Sequence, residues 1–261
     1  MKVAGKCVVV TGAGGGIGAA LVRAFAAEGA KGIVVGDVDV AAAESVVREI
    51  GAQGAALACD VTREDDIVAA VRLAESQFGP VDLFCSNAGG GGGDDFSTPD
   101  EQWTNSWQLN TLSHVWAARA VVPGMLERGG GYLLQTVSAG GLITGPASAP
   151  YTVTKHPALG FAEWMSIMYG GRGIGVSCLC PQAVNTAMVQ RVADEATRKA
   201  LKEIGSLLEP EDVARVVVDG LADERFLILP NPEVGEYFLR KATDYDRWLR
   251  GMRRMIERSG R

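Results

Sequence analysis

The chain has 261 residues, 47% of them hydrophobic, and a formal net charge of −6. This length can bury a substantial core, and an α/β sheet of this size is commonly one domain. The acidic balance argues against general nucleic-acid binding, and the absence of a signal peptide or an apolar run of about 18 residues makes a cytoplasmic protein the expectation.

Strand-like and helix-like segments alternate along the chain. Short apolar runs predict strands near 6–11, 32–37, 55–59, 81–85, 131–137, 174–180 and 226–229. Helical patterns fill the gaps, and this alternation predicts a doubly wound (Rossmann) parallel seven-stranded sheet with helices on both faces. A ligand crevice is expected at the carboxyl ends of the strands. We predict one α/β domain over 1–230 and a helical tail over 231–261.

A glycine turn follows the first predicted strand. It contains Gly12, Gly14, Gly16, Ile17 and Gly18, and an apolar helical pattern begins at its end. Glycines let the backbone approach a pyrophosphate, while a helix N-terminus offers free N–H groups and a partial positive charge. The strand, the turn and the helix therefore predict a dinucleotide site.

An acidic residue, Asp37, closes the second predicted strand. A carboxylate there can accept hydrogen bonds from the adenosine ribose hydroxyls and repels a 2′-phosphate. Residues 13–16 and Val38 include no Arg or Lys that could hold that phosphate. We therefore predict NAD rather than NADP as the cofactor. The alternative is that Asp37 only starts a turn or caps the following helix.

Tyr151 and Lys155 are four residues apart, and Ser138 comes thirteen residues before the tyrosine. On a helix, positions i and i+4 share a face, so the ammonium of Lys155 can lie beside the phenol of Tyr151 and favour its ionised form. A free tyrosine titrates near ~10, and one cation about 4 Å away supplies roughly enough energy for the phenol to act as a base near neutral pH. The trio predicts acid/base chemistry.

The same spacing occurs once more, at Tyr237 and Lys241. Thirteen residues before this tyrosine lies Glu224 rather than a serine, and the segment reads as a charged helix. We interpret the second pair as a solvated i,i+4 pair without a catalytic role.

In their order along the chain, these motifs resemble those of the short-chain dehydrogenase/reductase family in its short single-domain form. The matching positions, within residues 6–190, are Thr11-Gly12-x-x-x-Gly16-Ile17-Gly18, Asp60-Val61, Asn87-Ala88-Gly89, Asn110, Ser138, Tyr151-x-x-x-Lys155, Pro181 and Asn185-Thr186. The resemblance implies an NAD-dependent oxidoreductase that interconverts a secondary alcohol and its ketone by hydride transfer. An isomerase or dehydratase and a nucleotide-sensing protein on the same fold are the alternatives.

The resemblance also implies residue roles. Tyr151 would be the acid/base and Ser138 would hydrogen-bond the reacting oxygen. Lys155 would hold the nicotinamide ribose and lower the pKa of Tyr151, while Asn110 would anchor a water of the proton relay. Further cofactor contacts would come from Asp60, Val61, Asn87, Ala88, Gly89, Pro181 and Thr186.

The substrate side departs from the family pattern. The run 89–93 consists of five glycines, which should make this wall of the substrate site mobile and leave it without side chains. Gln182 stands where the family usually has glycine. An amphipathic pattern after Thr186, which includes Met188, suits a lid helix over a hydrophobic alcohol or ketone, although these residues could equally seal the core and Gln182 could point to solvent. The expected substrate contacts are Ser138, Gly140, Tyr151, Gln182 and Met188.

The remaining reactive side chains are expected to be structural. The cysteines lie in apolar, strand-like segments and predict small core residues rather than a disulfide framework or a metal site; they are Cys7, Cys59, Cys85, Cys178 and Cys180. His114 and His156 are interpreted as helix-surface or packing residues. Members of the resembled family usually form dimers or tetramers through helices that begin near 100 and 150, so we expect a homo-oligomer, with a homotetramer preferred.

Overall fold

The computed structural model describes residues 1–145, 148–192 and 207–258. The strands of the main sheet are β1 (Cys7–Thr11), β2 (Gly32–Asp37), β3 (Gly54–Ala58), β4 (Leu83–Ser86), β5 (Gly131–Thr136), β6 (Ile174–Leu179) and β9 (Leu227–Ile228). All pair in parallel, in the order β3-β2-β1-β4-β5-β6-β9. The predicted seven-stranded sheet is confirmed. Two further strands of two residues each, β7 (Ala183–Val184) and β8 (Leu207–Leu208), pair separately and were too short to be predicted.

Helices connect these strands. They are α1 (Gly16–Ala27), α2 (Val40–Ile50), α3 (Glu64–Phe78), α4 (Asp100–Trp107), α5 (Ser113–Glu127), α6 (Ala139–Ile143), α7 (Ala149–Tyr169), α8 (Ala187–Val192), α9 (Pro210–Ala222), α10 (Glu233–Thr243) and α11 (Tyr245–Arg258). A π-helical turn, Gln108–Leu112, joins α4 to α5. Short 3₁₀ turns precede β3 and β6, at Gly51–Gln53 and Gly170–Arg172.

The sheet is buried on both faces, which explains why its strands are almost continuously apolar. Val8 and Val10 of β1 belong to the core under α1, α2 and α9. Val9, between them, points the other way into the core under α3, α5 and α7. All five cysteines are buried with free thiols, as expected for small core residues.

The strand order reverses between β1 and β4. The chain runs from β1 outward to β3 and then returns to place β4 on the other side of β1. In doubly wound sheets the ligand crevice opens at this point, beyond the carboxyl ends of the strands. The glycine turn after β1 and the Asn87 segment after β4 therefore border one crevice.

The two C-terminal helices pack against the sheet domain. Val234 of α10 is fully buried, and Tyr237 lies 6.4 Å from Trp248 of α11 between ring centroids. The interpretation of Tyr237 and Lys241 as a solvated pair is wrong, because Lys241 is only 5% exposed. Spacing alone could not show that this helix packs on α6. The domain division at residue 230 stays a prediction.

The amphipathic pattern that predicts a lid helix after Thr186 extends to Leu201 and Ile204, and these two residues lie outside the described residues. Within residues 1–145, 148–192 and 207–258, no helix combines the length and apolar character needed to cross a membrane.

Candidate active site

The glycine turn after β1 is a backbone cradle that side chains would fill. A Cβ atom on Gly12, whose φ is +62°, would lie 2.7 Å from Ala88 Cα, and one on Gly18 would lie 2.2 Å from the carbonyl oxygen of Gly12. Helix α1 begins at Gly16 with no side chain capping its first N–H groups. These donors and the helix dipole are free to receive an anionic group.

Asp37 lies at the carboxyl end of β2, directly beside this cradle. Its Oδ2 accepts a hydrogen bond from Gly14 N at 2.8 Å, and its Oδ1 accepts one from Asp39 N at 3.0 Å. The side chain that caps α2 is that of Asp39, which accepts from Ala42 N. Asp37 is therefore not the helix cap, and its carboxylate borders the crevice, with Val38 71% exposed next to it.

Asn87 and Thr11 fasten the ends of β1 and β4 together. Asn87 Nδ2 donates to the carbonyl oxygens of Thr11 and Gly12 at 3.0 and 3.1 Å. Thr11 Oγ1 accepts from the backbone N–H groups of Asn87 and Ala88 at 3.1 and 3.2 Å. These four hydrogen bonds fix the glycine turn against the segment that follows β4.

Asn110 lies in the π-helical turn between α4 and α5 and is fully buried. Its Nδ2 donates to Gly90 O at 2.8 Å and to Thr154 Oγ1 at 3.1 Å, and its Oδ1 accepts from Gly90 N at 3.1 Å. The amide thus ties the five-glycine run to α7. π-Helical turns often occur at functional sites, but the turn was not predicted. The role of Asn110 in anchoring a water stays a prediction.

Ser138, Tyr151 and Lys155 come together where α6 meets α7. Ser138 caps α6, its Oγ accepting from Gly140 N at 3.0 Å. A Cβ on Gly140 would lie 3.4 Å from Ser138 Oγ and 3.9 Å from Tyr151 Cε1, so the serine and the tyrosine border the same space. Lys155 Nζ lies 5.8 Å from the centre of the Tyr151 ring, on the face that the i,i+4 spacing predicted.

Burial dominates the electrostatics of this trio. Lys155 is 2% exposed, its Nζ donates to Thr136 O at 2.9 Å, and burial lowers its pKa to about 8. Burial also raises the pKa of Tyr151 above its usual value, and the Ser138 hydroxyl offsets this only in part. The expected lowering of the Tyr151 pKa by Lys155 is therefore not found in this structure. Spacing located the cation but could not reveal how strongly the site is desolvated.

The other predicted cofactor residues follow strand ends. Asp60 and Val61 come after β3, where Asp60 Oδ1 accepts from Thr62 N and Oγ1 at 3.0 and 2.7 Å. A Cβ on Gly16 would lie 3.0 Å from Thr186 Cγ2, which puts Thr186 against the glycine turn. Pro181 O accepts from Ala139 N at 2.8 Å and so joins the end of β6 to α6.

On the substrate side, the glycine run passes close to the tyrosine. A Cβ on Gly91 would lie 3.6 Å from Tyr151 Cβ, so a side chain at this position would narrow the site. Gln182 is exposed, and its backbone N–H donates to Asn231 Oδ1 at 3.1 Å. Met188 on α8 is 37% exposed. Substrate contacts by Gln182 and Met188 stay predictions.

Several residues that hold the site residues in place are not predicted by the sequence motifs. Thr136 and Thr154 hold Lys155 and Asn110, and Asn231 holds the backbone of Gln182. The position of Thr136 and Asn231 at or after strand ends could have indicated them. His114 is 1% exposed, and burial lowers its pKa to about 3, as a packing residue requires.

Comparison with known proteins gives this geometry a family. Residues 6–197 match the model of the family described as short chain dehydrogenase. The chain is 37% identical to 1-deoxy-11-beta-hydroxypentalenate dehydrogenase of Streptomyces exfoliatus over 235 residues, covering 87% of this chain and 84% of that protein. It is 33% identical to 7alpha-hydroxysteroid dehydrogenase of Escherichia coli over 224 residues, covering 84% and 88%.

Solved structures of dehydrogenases have a similar fold. A 7alpha-hydroxysteroid dehydrogenase complexed with NADH and 7-oxo glycochenodeoxycholic acid superimposes with a TM-score of 0.81 at 29% identity, covering 87% of this chain and 93% of that one. A short-chain dehydrogenase/reductase from Burkholderia phymatum in complex with NAD gives a TM-score of 0.83 at 27% identity, covering 94% and 96%. The chain belongs to the short-chain dehydrogenase family.

Proposed function

We propose that the protein is an NAD-dependent oxidoreductase that interconverts a hydrophobic secondary alcohol and its ketone, with Ser138, Tyr151 and Lys155 at the reacting centre. The proposal rests on one observation: the predicted catalytic side chains meet at the same edge of the sheet as the glycine turn. The hydroxyl of Ser138 and the ring of Tyr151 border the space at Gly140, and Lys155 lies on the face of that ring. The glycine turn and Asp37 occupy the same carboxyl edge of the sheet.

A dinucleotide fits the described residues on this edge. The uncapped start of α1 and the side-chain-free cradle at Gly12 and Gly18 suit a pyrophosphate, and the Asp37 carboxylate suits ribose hydroxyls while opposing a 2′-phosphate. NAD bound there would supply the hydride acceptor or donor, and solved relatives in complex with NAD or NADH support this choice.

Tyr151 would carry the proton of the reaction. In alcohol oxidation the Tyr151 Oη takes the hydroxyl proton, and in ketone reduction it returns a proton to the carbonyl oxygen, which Ser138 Oγ positions by a hydrogen bond. Because burial raises the pKa of Tyr151, the phenol is protonated at neutral pH, which is the form that reduction uses. Oxidation requires the phenolate instead, so its rate should rise as the pH rises from neutral.

The proposed substrate is a bulky, apolar alcohol or ketone. The wall beside Tyr151 is made of glycines, which leaves room for a large ring system. Similarity to dehydrogenases named for a hydroxysteroid and for a hydroxypentalenate supports the same class. Roles for Gln182, Met188 and Asn110 in this site belong to the proposal.

A homo-oligomer is part of the proposal as well. The outer face of α7 exposes Trp164 by 50%, Ile167 by 79% and Met168 by 53%, an apolar surface that a second copy could cover. Light scattering would test it, since a 27.4 kDa particle at micromolar concentration would contradict assembly. The cytoplasmic location stays a prediction.

The proposed reaction is tested by following NADH fluorescence with a panel of hydroxysteroids, terpenoid alcohols and their ketones, with product analysis. We expect NADH consumption with at least one polycyclic ketone and stoichiometric formation of its alcohol. Tight NADH binding without turnover on any member of the panel would favour a nucleotide-sensing protein instead.

A further inference from the structure

Helix α6 of the candidate active site is too short to satisfy its own backbone hydrogen-bonding groups. It has five residues, Ala139–Ile143, and two of them are glycines. A helix this short forms about one turn and leaves its last carbonyl groups without partners within the helix. Yet Ser138 caps its start, and Gly140 borders Tyr151, so its position decides the shape of the site.

The missing partners come from the C-terminal helices. Lys241 Nζ of α10 donates to Leu142 O at 2.7 Å, and Trp248 Nε1 of α11 donates to Ile143 O at 3.2 Å. These contacts span 99 and 105 positions of the chain. Two donors far away in sequence thus satisfy the last two carbonyl oxygens of the helix that follows Ser138.

The buried ammonium group of Lys241 is surrounded by groups that can accept its hydrogen bonds or its charge. Lys241 is 5% exposed, and no carboxylate of residues 1–145, 148–192 or 207–258 forms an ion pair with it. Its Nζ lies 3.5 Å from Thr144 Oγ1 and 5.3 Å from the centre of the Tyr245 ring. Burying an ammonium is costly unless acceptors surround it, and here they are a carbonyl, a hydroxyl and an aromatic face.

Thr144 adds a reason why α6 needs an external support. It ends α6 with φ of +55°, a left-handed conformation that a β-branched residue adopts only under constraint from its surroundings. Besides Lys241, its Oγ1 contacts His156 Nε2 of α7 at 3.2 Å. The end of α6 is therefore held from two sides, by α7 and by the C-terminal helices.

We propose that Lys241 and Trp248 are positioning residues that hold α6, and with it Ser138 and the substrate wall around Gly140, in the geometry for catalysis. Their hydrogen bonds reach α6 and Thr144, and they act through the carbonyl groups of α6. Their role in catalysis rests on the proposed function, whereas their effect on the order of α6 does not. The C-terminal helices thus complete the substrate side of the active site.

Two measurements on Lys241→Met test the proposal: amide hydrogen exchange in a peptide covering residues 139–145, and steady-state kinetics of ketone reduction. We expect exchange there to accelerate and the ketone KM to rise, each on the order of tenfold, while the Kd for NADH changes by less than about twofold. Lys241→Arg keeps a cationic donor, so its ketone KM should stay close to the wild-type value. Trp248→Phe, which removes only the indole donor, should give a smaller change in the same direction.

Arg240→Met is the matched control, because it removes a cation from the adjacent position of α10. Arg240 is exposed and pairs with Glu236, so exchange and KM should stay at wild-type values. Unchanged exchange and KM in Lys241→Met would overturn the proposal, and so would faster exchange spread evenly over the whole chain. If the wild type reduced no ketone, the proposed function would fail, while the exchange experiment would still decide whether Lys241 orders α6.

Discussion

The cofactor side and the substrate side of the crevice are built in different ways. On the cofactor side, the glycine turn, Asp37 and Asn87 lie at the carboxyl ends of β1, β2 and β4, and their hydrogen bonds join these neighbouring parallel strands. On the substrate side, the five-residue helix α6 is held by Lys241 and Trp248 from α10 and α11. The first side is a property of the sheet, and the second depends on the C-terminal helices.

The largest effect is expected at Tyr151, where the two sides meet. Tyr151→Phe removes the hydroxyl that transfers the proton and should lower kcat by about three orders of magnitude with the NADH Kd nearly unchanged. Tyr237→Phe is the control, since this tyrosine has the same spacing to a lysine but lies in α10. Wild-type turnover in Tyr151→Phe would refute the proposed mechanism.

The cofactor side is probed by exchanging its specificity residue. The native protein should prefer NADH over NADPH by about 100-fold in kcat/KM, because Asp37 faces the 2′-phosphate with no cation at Val38. Asp37→Ala combined with Val38→Arg should narrow that preference by removing a repulsion and adding a phosphate partner. Equal use of both nucleotides by the unmodified protein would mean that Asp37 does not contact the ribose.

The pH dependence tests the electrostatics shared by both sides. Lys155, with its pKa lowered to about 8, loses its charge as the pH rises through that value. The NADH Kd should then rise, and kcat/KM for ketone reduction at limiting NADH should fall with it by up to about tenfold per pH unit, because charged Lys155 is proposed to hold the nicotinamide ribose; Tyr151, whose pKa burial raises, stays protonated over this range. Alcohol oxidation, which needs the phenolate, should instead gain as the pH rises from neutral. A reduction rate that is flat to pH 10 would contradict these assignments.

A smaller effect is expected at Asn110, whose side chain holds the glycine run. Asn110→Ala loses three hydrogen bonds to Gly90 and Thr154 and should lower the free energy of unfolding by about 2 to 3 kcal/mol, measured by urea denaturation. Thr154→Val, which loses only the contact of Asn110 with the Thr154 hydroxyl and that hydroxyl's own bonds within the helix, is a graded comparison. Unchanged stability in Asn110→Ala would show that the glycine wall does not depend on this amide.

The same contrast explains how far the sequence predicts the structure. The sheet, the glycine turn and the closeness of Tyr151 to Lys155 follow from local patterns, because strand ends and i,i+4 spacing are short-range properties. The role of Lys241 could not be predicted, since its acceptor at Leu142 lies 99 positions away. The raised pKa of Tyr151 depends on burial by distant segments, which spacing does not reveal.

The central claim, hydride transfer in this crevice, is tested most directly with NADH in which both hydrogens on the reactive carbon of the nicotinamide are deuterium. Wild-type protein incubated with this cofactor and a polycyclic ketone should yield an alcohol with one deuterium on the carbinol carbon, found by mass spectrometry. The same incubation with Tyr151→Phe should yield almost none. A product formed without deuterium, or bound cofactor that never transfers its label to any ketone of the panel, would contradict the account.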